Sequence, residues 1–181
     1  MLTRRAALAA VSGALCVAAA EPMMVRDPAG KDVTIAPGKD VTVVTFISTQ
    51  CPISNDYNDR MSALYIAYST KGVKFFFVNA NSTEPAAVVA EHSKSAGFPF
   101  PVYKDQNAAD KLGAQTTPEA FVFDRTGKQL YQGYIDDARN EARVRNQGLR
   151  DAIEAALASK PVANPQTKAF GCTIKRARRS S

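Results

Sequence analysis

A cysteine acts as a nucleophile only as its thiolate, so the position of each thiol decides what it can do. Cys51 lies in the stretch TFISTQCPISNDY, where an apolar run stops, Cys-Pro follows, and a polar segment suited to starting a helix comes next. A first helical turn offers unpaired backbone N–H groups and a partial positive charge, and both favour a thiolate. Pro52 fits the first helical position, where its missing N–H goes unused. Far away in sequence, TTPEAFVFD places Pro118 directly before a strand, a setting in which the Thr117–Pro118 bond is a candidate for the cis form. His92 is the only histidine. One histidine with no completing carboxylate spacing builds no metal cluster, so it reads as a partly exposed helix residue. No glycine-rich phosphate loop is present, and Asp136-Asp137 reads as a loop. The residues call for neither a metal nor a cofactor.

The N-terminus places these thiols in a compartment. MLTRR is basic, AALAAVSGALCVAAA is a short apolar run, and Ala18–Ala20 offer small residues before Glu21. This three-part pattern is that of a secretory signal peptide over residues 1–20, too short for a transmembrane anchor. The residues before Cys16 do not suit a lipid-modification site. Removing residues 1–20 takes away two arginines and no acids, so the net charge falls from +6 to +4 (21 basic, 17 acidic). Much of that remainder sits in the tail KRARRSS. No aromatic platform or helical basic face accompanies it, so it reads as a solvated tail and not as a nucleic-acid site. The mature chain then carries Cys51 and Cys172 in an oxidising, periplasmic or extracellular setting, where two thiols can pair. Their bridge would close a loop of about 120 residues, worth up to ~5 kcal/mol in the chain-entropy model.

The elements that must position Cys51 follow from hydrophobic periodicity. MMVRDPAGKDVTI predicts two short strands around a turn. VTVVTFIS (Val41–Ser48) predicts a strand buried on both faces, which requires helices above and below a sheet. Tyr57, Met61, Leu64, Tyr65 and Tyr68 predict one helix from Ile53 to about Ser69. VKFFFVNA predicts a second buried strand. A helix follows, capped by Ser82 or Thr83 with Pro85 in its first turn, and ends at Gly97. FPFPVYKD reads as irregular or as a short edge strand, because Pro99 and Pro101 remove ladder donors. NAADKLG predicts a short helix, EAFVFD and LYQGYI a hairpin, and Asn140 to Ser159 a last helix. The chain thus divides into the signal segment 1–20, one α/β domain over 21–160, and an irregular tail 161–181 carrying Cys172.

Strand–Cys-Pro–helix, followed by Thr117-Pro118 before a hairpin and a final helix, resembles the thioredoxin fold. Within that fold it resembles the redoxin branch, which includes the alkyl hydroperoxide reductase / thiol-specific antioxidant (AhpC/TSA) proteins. The resemblance spans roughly Val25 to Ser159. It implies a central mixed sheet with helices on both faces and an N-terminal β-hairpin. It also implies a cis-proline loop beside the active thiol, with Thr117 and Pro118 at the matching positions. The departures are specific. Gln50 stands where thioredoxins carry Trp, and Ser54 stands where they carry a second Cys. Ser48 keeps a hydroxyl where peroxiredoxins have Thr, and Val44 stands in place of their Pro. Arg125, Arg139 and Arg143 are the candidates for a peroxiredoxin-type arginine.

With no second thiol at Ser54, Cys172 becomes the possible resolving partner of Cys51. The resemblance therefore implies an exported thiol oxidoreductase of antioxidant type, catalysing thiol–disulfide exchange or hydroperoxide reduction. Its partners would be a thiol reductant protein and a disulfide or peroxide substrate. Ser48, Pro52, Ser54, Thr117 and Pro118 would support the site, with Thr49 and Asn55 beside them and Tyr57 facing the core. Two alternatives stand beside it. One is a redox-inert binding module stapled by a structural Cys51–Cys172 disulfide, and the other a metal-delivery protein using both thiols. Oligomeric state is not read from the sequence.

Overall fold

The computed structural model describes residues 19–105 and 107–177. The signal-peptide expectation therefore lies almost wholly outside the described residues, as do Arg178 and Arg179 of the basic tail. The strands are β1 (Met23–Arg26), β2 (Asp32–Ile35), β3 (Val41–Ile47), β4 (Val73–Asn79), β5 (Val102–Asp105), β6 (Thr116–Thr117), β7 (Glu119–Phe123), β8 (Gln129–Gly133) and β9 (Cys172–Thr173). The helices are α1 (Pro52–Asn55), α2 (Asn58–Tyr68), α3 (Ala86–Ser95), α4 (Ala108–Leu112) and α5 (Gly148–Leu157). Seven strands form one mixed sheet in the order β2-β1-β5-β4-β3-β7-β8, and β6 and β9 form a separate two-stranded sheet. No helix among the described residues is long and apolar enough to cross a membrane.

All seven residues of β3 are buried, as its unbroken β-branched and aromatic run requires. Alternate side chains then feed two cores. Val41, Val43, Phe77, Ala120 and Val122 pack with Met61 and Leu64 of α2, Val89 of α3, and Leu149 and Ile153 of α5. Val44, Phe46, Val78, Phe121 and Phe123 pack with Ala108 and Ala109 of α4 and with Ile174 of the tail. Helices thus cover both faces. Each large aliphatic or aromatic side chain so buried contributes roughly 1.5–3 kcal/mol of transfer free energy.

Four elements differ from the periodicity reading. The helix expected over 53–69 is two helices, because Tyr57 leaves the helical conformation at the N-cap of α2. Its ring is driven into the core, 1% exposed, under the Arg60 guanidinium. Ser82 and Thr83 do not cap α3; Pro85 is its N-cap, and Ser82 Oγ donates to Lys175 O instead. β5 is an interior strand between β1 and β4. Both prolines precede Val102, so neither removes a donor from the ladder. The last helix begins eight residues late, at Gly148. Residues Glu141–Arg143 form only a single 3-10 turn capped by Asn140, and the Asp137 carboxylate, accepting from Arg145 N at 2.8 Å and Asn146 Nδ2 at 2.6 Å, keeps that turn from joining the α-helix. A Cβ at Gly148 would stand 2.4 Å from the Tyr131 hydroxyl, so the helix starts where glycine permits that approach.

Candidate functional site

β3 and β4 run parallel with Ile47 beside Asn79, and β7 runs antiparallel to β3 with Phe46 beside Glu119. Three loops therefore meet at one end of the sheet: Ser48–Cys51, Asn81–Glu84 and Thr116–Pro118. Outside the carboxyl ends of parallel strands is where α/β sheets place their ligands.

Cys51 is the N-cap of α1 and is 2% exposed. Its thiol donates to Thr117 O at 3.3 Å, and its sulfur accepts from Ser54 N at 3.3 Å. The Thr117–Pro118 bond is cis, as the strand-entry position suggested. Pro52 opens α1 as expected and is exposed. Ser54 supports the site in two ways, and it is its backbone N–H, not its hydroxyl, that faces the sulfur. The Ser54 hydroxyl accepts from Ser48 N at 3.1 Å and so ties the helix start to the strand end. Ser48 Oγ accepts from Gln50 N and Cys51 N at 3.2 and 3.1 Å, fixing the backbone of the reactive residue.

Beneath that loop lies a residue that the motifs did not single out. Glu84 is 2% exposed. Its Oε1 accepts from Ser48 Oγ at 2.6 Å and Asn81 Nδ2 at 2.8 Å. Its Oε2 accepts from Thr49 N, Thr49 Oγ1 and Asn79 Nδ2, each at 2.7 Å. Burial alone would push this carboxyl up, but the donors of Ser48, Thr49 and Asn79 together outweigh burial and hold it below its ordinary value. The Lys104 ammonium closes the network on Asn79 Oδ1, Asn81 O and Glu84 O. Burial pushes that ammonium's pKa down against the attraction of Glu84 and Asp105. A second buried carboxylate holds the proline loop: Glu119 accepts from Gln115 N at 2.7 Å and Thr116 N at 3.1 Å. An asparagine and a glutamate closing the run FFFVNANSTE were the available signal, since polar residues at the end of a buried strand need a buried partner.

The tail brings Cys172 to this site. Thr117 pairs with Cys172 and Thr116 with Thr173 in the antiparallel β6–β9 sheet. Burial raises the Cys51 pKa. The Cys172 side chain, the Ser54 N–H, the Cys172 backbone and the Thr117 side chain together outweigh burial, and the net result is a lowered pKa. Cys172 moves the opposite way, pushed up to about 11 by its hydrogen bond to Cys51, by burial and by the Cys51 charge. The pair therefore sheds its first proton from Cys51 and keeps the second on Cys172.

The other expected residues fall at different distances. Asn55 donates to Thr49 O at 3.1 Å and meets His92 Nε2 at 3.1 Å, so His92 is a partly buried neighbour of the loop. The Tyr57 hydroxyl donates to Asp136 Oδ1 at 3.0 Å inside the core. Arg139 pairs with Asp56 at 2.7 Å, while Arg125 and Arg143 are exposed. The Arg139 charge acts on Cys172, lowering its pKa against the larger upward causes. Among the described residues no cluster of three or more histidine, cysteine or acidic side chains could hold a metal ion.

Comparison with known proteins places this geometry. The model of the family described as Redoxin matches residues 12–147. A conserved protein from Geobacillus kaustophilus is 29% identical and superposes with a TM-score of 0.80, covering 91% of this chain and 93% of its own. A hypothetical protein from Sinorhizobium meliloti 1021 gives the same identity and TM-score, covering 91% of this chain and 97% of its own. The thioredoxin domain of a thiol-disulfide oxidoreductase from Bacteroides vulgatus shares the fold at 16% identity and a TM-score of 0.55, over 64% of this chain and 86% of its own. No curated protein matches this chain.

Proposed function

The chain belongs to the Redoxin family, and we propose that it is an exported thiol oxidoreductase in which Cys51 is the nucleophile and Cys172 the resolving thiol. One observation carries this reading: the tail strand pairs Cys172 with Thr117, whose carbonyl accepts from the Cys51 thiol at 3.3 Å, and the two thiol pKa values are driven in opposite directions. Cys51 becomes the thiolate at the lower pH, and Cys172 keeps its proton until a sulfur worth attacking stands opposite it.

Disulfide exchange is the reaction the site supports best. The Cys51 thiolate attacks one sulfur of a substrate disulfide, forming a mixed disulfide and expelling the other sulfur as a thiolate. Cys172 then attacks Cys51 and gives up its proton, and the second substrate sulfur leaves. The substrate disulfide is reduced to two thiols, and the enzyme is left with a Cys51–Cys172 disulfide that a thiol reductant protein must reopen. Hydroperoxide reduction follows the same order, with a sulfenic acid on Cys51 and water released when Cys172 condenses with it. Two features weigh against a peroxidase: Val44 replaces the peroxiredoxin proline, and Arg139 is committed to Asp56.

The staple reading is less well supported, because noncovalent contacts by themselves dock the tail. Ile174 is 3% exposed in the second core, and Lys175 N donates to Asn81 Oδ1 at 2.7 Å. A disulfide is not needed to hold it. The signal pattern of residues 1–20 supports export to the periplasm or beyond, with no stable membrane insertion afterwards and no nucleic-acid partner. The assignment is tested with Cys51→Ser. It should lose all turnover with both a disulfide and a hydroperoxide substrate, and full activity in that variant would remove Cys51 from the chemistry.

A further inference from the structure

The tail does more than deliver a thiol. It crosses the site as an extended strand, and each residue from Gly171 to Arg176 meets a different feature of the domain. A Cβ at Gly171 would stand 2.0 Å from Thr117 O, so only glycine fits immediately before the cysteine. Cys172 pairs with Thr117, the residue whose carbonyl accepts from the Cys51 thiol. Thr173 is exposed. Ile174 enters the apolar cluster that holds Phe46, Ala109 and Ala114, while its N–H donates to Gln115 O at 2.9 Å. Lys175 is exposed; its backbone accepts from Ser82 N at 2.8 Å and donates to Asn81 Oδ1 at 2.7 Å. Arg176 donates to Ala114 O and pairs with Asp110, each at 2.6 Å.

We infer that Gly171–Arg176 lie in the groove that receives a partner polypeptide, and that the tail is a template of that partner. The segment received is extended, with glycine before its cysteine, an aliphatic side chain two residues after it and a cation four residues after it. This rests on the exchange reading proposed above and names its substrate class. The argument is one of exclusion. Cys51 is 2% exposed with the tail in place, so a macromolecular disulfide reaches it only when the tail withdraws. The strand that then reaches Cys51 meets the same Thr117 carbonyl, the same apolar entrance and the same Asp110. The carbonyl clash rejects a side chain before the cysteine, and an unfilled apolar entrance disfavours a polar residue two positions later. The tail competes from within the same chain, at a high effective concentration, so it also keeps the reduced site closed to unsuited partners.

The test uses the full chain carrying Cys172→Ala, which removes the internal thiol. The probe is the peptide Ala-Phe-Gly-Cys-Thr-Ile-Lys-Arg-Ala, its cysteine blocked as a mixed disulfide with thionitrobenzoate. The Cys51 thiolate attacks the peptide sulfur; one S–S bond breaks, one forms, and coloured thionitrobenzoate leaves with no net oxidation. Two further variants loosen the tail in that background: Gly171→Ala by the collision with Thr117, and Ile174→Ser by losing the apolar anchor. Both should speed exchange with the probe by roughly tenfold over Cys172→Ala alone, the scale of an overpacked or missing apolar group. On the loosened proteins, a peptide with Ala in place of the Gly before its cysteine should react roughly tenfold more slowly than the probe. The symmetric aryl disulfide from which the probe is made serves as the small-molecule control. If that control reacts but the glycine and alanine peptides exchange at equal rates on both loosened variants, the tail is no template. If Cys51 is inert to the control as well, the exchange reading falls and takes this inference with it.

Discussion

Replacing Glu84 with Gln tests whether a buried carboxylate holds the nucleophile loop. The substitution keeps the shape and changes one oxygen into an amide donor. The less disruptive orientation puts the new NH2 at Oε1, facing Ser48 Oγ and Asn81 Nδ2. Ser48 cannot escape by turning, because its oxygen already accepts from Gln50 N and Cys51 N. Two buried donors therefore lose their acceptor, at about 1–3 kcal/mol each, which gives a loss of about 2–6 kcal/mol. The opposite orientation strands three donors at Oε2 and is worse. Equilibrium urea unfolding at neutral pH measures this directly, with the midpoint falling and the slope unchanged. The dependence on pH carries the sign of a depressed carboxyl. Stabilisation by Glu84 is fully present above its unfolded pKa, about 4.3, and is lost as pH falls through the lower folded value. The gap between parent and variant should therefore narrow below about pH 4. A Glu84→Gln protein within about 0.5 kcal/mol of the parent at neutral pH would refute the reasoning.

Other perturbations have equally definite outcomes. Cys172→Ala removes the side-chain hydrogen bond that contributes most to lowering the Cys51 pKa. The rate of Cys51 alkylation, which follows the thiolate, should therefore rise with pH along a curve displaced to higher pH; an unmoved midpoint would dissociate the two sulfurs. Arg60→Met strands Asp136, whose carboxylate meets the Arg60 Nη1 atom at 2.7 Å with side-chain exposures of 12% and 7%. Breaking a buried pair in this way costs about 3–5 kcal/mol, read as a lower urea midpoint, and a neutral result would show that water reaches Asp136.

Much of this architecture is visible in local patterns. The unbroken run of β3 predicted a strand covered on both faces, and Cys51-Pro52 predicted a helix start, because each depends on neighbours within a few residues. The errors arise where a distant group decides. Tyr57 fits the helical period of Met61, Leu64 and Tyr68 yet breaks the helix, because Asp136 and Arg60 draw its ring inward. The last helix was expected from Asn140, but the Asp137 carboxylate binds the backbone at Arg145 first. Pro99 and Pro101 suggested an edge strand, whereas the sheet pairs only the residues after them. At the site, Cys51, Thr117 and Pro118 were legible as motifs, and Ser48 and Ser54 as hydroxyls near the thiol. Glu84 was not, since its meaning comes from β3 and β4 lying side by side. Nor was the role of Gly171, because its constraint is a carbonyl 54 positions away in sequence.

The pairing of Cys51 with Cys172 as a reversible redox couple is the central claim, and a redox titration tests it most directly. The mature protein is equilibrated across buffers of defined thiol–disulfide potential, quenched, and the Cys51–Cys172 cross-linked peptide quantified by mass spectrometry. The account predicts a single two-electron transition, about 30 mV for each tenfold change in ratio, with a midpoint between roughly −120 and −270 mV, the range of exchange catalysts. Two thiols that never cross-link, or a bridge that persists below roughly −300 mV as structural disulfides do, would contradict it.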